Sequence, residues 1–254
     1  MADAAKTDLH AYVLRLADNS LILGQQISAW CGHAPVLEED IALANVALDL
    51  IGQTTNWLNY ASELEAGKRT ADQLAFMRDE REFNNVLLVE QPNGNFAQTL
   101  VRQYLFDAWH YYLLQALSGS SDAQLAEIAQ KSIKEVTYHL ERSTDLVVRL
   151  GDGTQESHDM MQTALDGLWR YTEELTQPDS LDEAMLASGI GPDLGQVKKS
   201  FDAHCASTLE MATLVAPDAV HMRHGGKSGI HDEYMGRLLA EMQILPRSYP
   251  GAAW

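Results

Sequence analysis

Apolar positions recur along this chain at the three-and-four spacing of helices and almost nowhere at the alternation of strands. Leu14, Leu21, Ile22 and Ile27 mark a first helix that starts near Thr7 or Asp8 and ends at Gly32. Pro35 opens a second, with Glu38, Glu39 and Asp40 in its first turn, where carboxylates suit the positive end of the helix dipole. Leu43, Val46, Ala47, Leu50, Ile51 and Leu58 carry that helix to a stop near Gly67. Thr70 caps a short helix up to Met77, and Arg78 to Asn95 reads as a long, partly irregular connection.

Asn95 caps the next long helix, through Leu100, Tyr104, Ala108, Tyr111 and Leu114. Ser121 or Asp122 caps another, which ends at Gly151 before the Asp152-Gly153 turn. Further helices cover about Ser157 to Leu175, Asp193 to Leu214 and about His231 to Leu245, with a capping box at Ser180-Leu181-Asp182-Glu183 between the first two of these. Val86-Leu87-Leu88-Val89 is the one compact run with strand character, and it reads equally as a buried link. Four long helices, with no linker rich in Gly, Pro or Ser between them, predict an all-α fold: one domain over residues 1–254, an antiparallel bundle with extra helices appended.

Composition narrows the partners. Apolar residues form 46% of the 254, enough for a packed core. Acidic side chains number 36 against 18 basic ones, and the resulting charge of −18 repels nucleic acid and anionic lipid as broad-surface partners. It also repels the phosphates of a coenzyme, so such a ligand needs a local basic pocket. Cys31 and Cys205 stand far apart, without the spacing of a zinc or redox motif. The N-terminus lacks a leader-like apolar stretch and no run reaches the ~20 apolar residues of a membrane helix, which together predict a cytoplasmic protein.

The informative oddity is polar. Asn45, Asp49, Gln53 and Asn56 form one stripe on the apolar second helix. Gln103, Asp107 and His110 align on the next long helix, Glu135, His139 and Arg142 on the one after it, and Asp18 and Gln25 lie a heptad apart on the first. Carboxylates on several long helices suggest a two-metal site, which takes a Glu from each of two helices and Glu-x-x-His from each of the others. The spelling fails that test. Gly52 follows Asp49, and Tyr138 follows Glu135, where histidine is wanted; Asp107-x-x-His110 has the spacing, but Asp is one methylene shorter than Glu. A vestigial polar core at Asp49, Asp107, Glu135 and His139 is the resulting expectation, its buried carboxylates paired with Gln103, Gln53, Asn45 or Arg142.

Several strings resemble the C subunits of multicomponent phenylacetyl-CoA epoxidases: Trp30-Cys31-Gly32-His33-Ala34-Pro35, Asp40-Ile41-Ala42-Leu43-Ala44-Asn45 and Glu90-Gln91-Pro92-Asn93-Gly94-Asn95-Phe96. Others are Lys134-Glu135 with Tyr138-His139-Leu140, and the stretch from Arg223 to Gln243 with Gly225-Gly226-Lys227 and His231. The resemblance implies a ferritin-like four-helix bundle with additional helices that lacks metal ligands and holds no cofactor of its own. It further implies association with a homologous catalytic A subunit, whose di-iron centre oxidises the ring of phenylacetyl-CoA with electrons from a reductase. Other members of the complex are further candidate partners, and a homodimer is one form open to the chain alone. The contrasting reading is a self-sufficient di-iron oxygenase or oxidase.

Arg223-His224-Gly225-Gly226-Lys227 is the local basic, glycine-rich cluster of an acidic chain. Glycines let backbone N–H groups approach an anion, so Arg223 and Lys227 are candidates for a coenzyme A phosphate contact; a plain connector before the last helix is the alternative. Trp30, Trp57, Trp109 and Trp169 read as contacts in the core or between subunits, and Trp254 as an anchor or a frayed end.

Overall fold

The structure is a computed structural model that describes residues 2–218 and 221–252, with side chains from Lys6 onward. Its helices are α1 (Ala2–Ser28), α2 (Leu37–Leu64), α3 (Ala71–Phe76), α4 (Phe96–Leu117) and α5 (Ala123–Gly151), then α6 (Gln155–Leu168), α7 (Thr172–Thr176), α8 (Ser180–Ala187), α9 (Leu194–Met211) and α10 (Glu233–Ser248). No strand occurs among the described residues, and Leu87–Glu90 is a buried single turn of tight helix. The all-α class holds, and the four long helices of the ferritin-like reading are α1, α2, α4 and α5. Trp254 lies outside the described residues.

Local rules set most of the ends. Thr70 accepts from the Gln73 amide at 3.2 Å while the Gln73 side chain returns a bond to the Thr70 amide, closing a capping box. Asn95 and Asp122 each accept from the amide three residues on, at 2.9 Å. The expected box at Ser180 sits one residue earlier, with Asp179 as the cap and Asp182 answering it. Both residue types can cap, and the Asp179 carboxylate satisfies two amides at once. α1 stops at Ser28, short of Gly32, because Trp30, Cys31 and His33 bond to carbonyls only three residues back. α9 stops before Leu214 because Thr213 takes a left-handed conformation, φ 56°.

The chain clusters into two compact units, one of Met1–Pro92 with Gly225–Trp254 and the other of Asn93–His224. In the first, α1 and α2 are joined by the short turn 29–36 and pack along their length as an antiparallel pair. Gly32 (φ 85°) makes that turn, and its amide donates to the Asp40 carboxylate at 2.8 Å, so an acid in the first turn of α2 also fixes the connection. Gly24 sets the closeness of the pair: a Cβ there would lie 3.1 Å from Ile51 Cδ1. α1 is buried on every side from Tyr12 to Gly24, whereas α2 buries one face, with Leu43, Val46, Leu50, Trp57 and Leu58. α3 and α10 close the unit.

In the second unit, α4 is the central helix, buried without a break from Thr99 to His110 and covered by α5, α6 and α9. Each leucine or phenylalanine that it withdraws from water contributes about 1.5–3 kcal/mol. Full burial also makes each polar group on this stretch costly unless it is partnered, and Gln103 Oε1 and His110 Nδ1 are buried without a hydrogen bond. That cost shapes the candidate site.

Candidate functional site

Asp107 and His110 are both buried, as their i, i+3 spacing on one face of α4 requires. One turn earlier, Gln103 donates its amide to the Asp107 carboxylate at 2.6 Å. α5 contributes His139, buried, together with Ser143 and Arg142. Burial pushes the Asp107 carboxyl up to about 6, against the opposing pull of His139, Ser143, Gln103 and Arg142. Burial and the neighbouring His139 press His110 down to about 3, so its ring is neutral at physiological pH. Phe106 and Trp109 stand against that ring, with centroids 4.8 and 6.2 Å away.

The other expected positions are less buried. Glu135 is half-buried on α5, and Tyr138, in the place wanted for histidine, is 51% exposed. Asp49 is half-buried on α2, and Gly52 beside it faces open space. In a working Glu-x-x-His pair both side chains must point inward. On α2 and α5 the second position points out, so the missing histidines are a matter of helix facing as well as of residue type. Within the second unit the half-site thus consists of one short carboxyl, already hydrogen-bonded to an amide, beside two imidazoles. Among the described residues no three His, Cys, Asp or Glu side chains converge as a metal ion needs. The donors of this cluster, one Asp and two His, do not fit a dinuclear centre.

Two buried ion pairs were not expected. Asp18, counted with the polar stripes, meets Arg78: one guanidinium nitrogen lies 3.0 Å from the carboxylate, which also accepts from the Asn84 amide at 2.9 Å. Arg78 reaches the Leu74 and Glu82 carbonyls as well and stacks 4.1 Å from the Phe83 ring centre. Asp18 therefore organises the irregular connection after α3. Glu90 is the second: it takes the His231 ring, the Asn85 amide and the Asp232 backbone amide. The only sequence signal for it is that Glu90 and His231 fall in two of the strings that carry the family resemblance.

The basic cluster divides. Arg223 is exposed in the second unit, its amide bonded to the Arg170 carbonyl at 2.9 Å. Lys227 is half-buried in the first, where its carbonyl accepts from Asn84 at 3.1 Å. Gly226 is there for contact: a Cβ would sit 2.1 Å from the Asn85 carbonyl oxygen. Trp57 and Trp109 are core residues, and Trp30 and Trp169 are half-buried.

No helix among the described residues is long and apolar enough to cross a membrane. The sequence is 51% identical over 246 residues to an Escherichia coli (strain K12) protein named as the C subunit of 1,2-phenylacetyl-CoA epoxidase, covering 97% of this chain and 99% of that protein. Residues 1–254 match the family described as phenylacetic acid catabolic protein, and the chain belongs to that family.

Proposed function

We propose that this chain is a non-catalytic structural subunit of a phenylacetyl-CoA epoxidase in aerobic phenylacetate degradation, where it supports a homologous subunit that carries the di-iron centre. The relative's name places that protein in a multi-subunit enzyme, and the near-complete overlap of the two chains supports the same assignment here. The observation that carries the non-catalytic part is the buried Asp107 cluster. Its one buried carboxyl is held by Gln103, and the histidine positions of the Glu-x-x-His pairs, Gly52 on α2 and Tyr138 on α5, turn outward. Such an interior offers one short carboxyl where a dinuclear centre takes four, which does not suit oxygen chemistry.

The test has two readouts. Iron measured on protein purified without chelator is expected well below one atom per chain, and co-expression with the homologous subunit is expected to yield a stable complex that epoxidises phenylacetyl-CoA. Two irons per chain, lost in Asp107→Ala, would establish the self-sufficient oxygenase instead.

A further inference from the structure

The outer face of α2 is mostly left out of its unit, with Ile51 at its edge approaching Gly24 of α1. Leu37, Ile41, Leu48 and Ile51 are 69%, 53%, 69% and 36% exposed. With Ala44 and Thr55 they stand at steps of four, three, four, three and four, the seam spacing by which one helix meets another along its length. At 1.5 Å per residue the seam runs for about 27 Å. The opposite face, with Leu43, Val46, Leu50 and Trp57, is already buried. Large apolar side chains left in water at seam spacing, and nowhere else on the helix, describe an unfilled helix–helix contact.

Charge decides what fills it. α2 contains no lysine or arginine, and Glu38 and Asp40 flank the start of the seam. A second copy laid on this face would set carboxylates against carboxylates between two chains of charge −18. A helix edged with lysine or arginine would meet the same rim with opposite charge. We propose that the seam from Leu37 to Thr55 is the docking face for a helix of a different chain, one that carries its own three-four apolar stripe flanked by basic residues. Resting on the function proposed above, that chain is the homologous subunit of the epoxidase.

The experiment co-expresses the tagged full chain with the other subunits of its own complex and measures how much homologous subunit is retained. Three forms are compared: wild type, the double variant Ile41→Glu with Leu48→Glu, and the control Leu186→Glu, whose residue is 47% exposed on α8. The substituted side chains already face solvent, so all three should keep the same helix content and melting temperature. Wild type and control are expected to retain the subunit, and the double variant to lose about tenfold or more of it, as disruption of a central apolar contact does. Equal retention by the double variant would sink the seam and leave the subunit reading intact. No retention by wild type would sink both. A dimer of the chain alone that the double variant dissolves would make a second copy the occupant and overturn the proposal.

Discussion

The Glu90 carboxylate meets the His231 ring at 2.5 Å although 141 positions separate them in the chain. Both side chains are buried, and Glu90 also receives the Asp232 amide at 3.1 Å, so the pair fixes the start of α10 onto the 85–91 connection. Burial alone would lower the histidine, but the hydrogen bond and charge of Glu90 with the Phe83 carbonyl and Glu80 outweigh it and hold the ring above its ordinary 6.5. Burial raises Glu90 too. The histidine's contribution is therefore complete below pH 6.5, its ordinary value, and is lost as pH rises from there through the higher folded value. His231→Gln is therefore expected to cost about 3 kcal/mol near pH 6, with a gap to wild type that narrows steadily towards pH 9. Urea midpoints across that range provide the check, and a pH-independent gap would contradict it.

Asp107 gives the opposite outcome on substitution. Its carboxyl is raised to about 6 from an ordinary 3.8, so folding loses free energy as pH rises through 6 and the group ionises in a dry site. Asp107→Asn keeps an acceptor for Gln103 and removes that cost. The variant is expected to be more stable than wild type by about 1–3 kcal/mol at pH 8, with the gain gone near pH 4. Denaturant titrations at the two pH values measure it. A large loss of stability at pH 8 would mean that the charged form is needed, as it would be beside a metal.

Arg78→Met leaves Asp18 buried and uncompensated and removes the bonds to the Leu74 and Glu82 carbonyls. An expected loss of about 3–5 kcal/mol follows, read as a fall in the urea midpoint. Adding Asp18→Leu to that variant should recover part of the loss, because no buried charge then remains. A double variant no better than the single would show that the carbonyl contacts, not the charge, dominate.

Two glycines separate close approach from chance. Gly226→Ala would drive a Cβ to 2.1 Å from the Asn85 carbonyl and 2.9 Å from the Leu87 amide, both backbone, and should cost about 3 kcal/mol. Gly167→Ala, on α6 with nothing within 4 Å, should gain about 0.5–1 kcal/mol from helix propensity. Thermal melts of the two variants are expected to move in opposite directions.

Much of this was legible in the sequence because it is local. Thr70, Asn95 and Asp122 cap where their side chains reach amides two or three residues away, and the spacing of Leu43, Val46, Leu50 and Trp57 sets the buried face of α2 without reference to any other segment. The Asp107–Gln103 bond was also within reach, since a carboxylate and an amide one turn apart on a buried helix have few other choices. The misplacement of the α8 cap by one residue has a local cause as well: Asp179 and Ser180 both suit the role, and only the amides that they face separate them.

By itself, then, the sequence determined the helices, their caps, the all-α class and the spelling that fails a di-iron site, because each depends on neighbours within a turn or two. Tertiary structure alone decided that Asp18 belongs to Arg78 and Glu90 to His231, that Tyr138 and Gly52 face outward, and that the Leu37–Thr55 stripe is left open. A charge or an apolar side chain carries no record in its own segment of which distant partner will cover it; only packing settles which face is buried and which group lies within bonding distance.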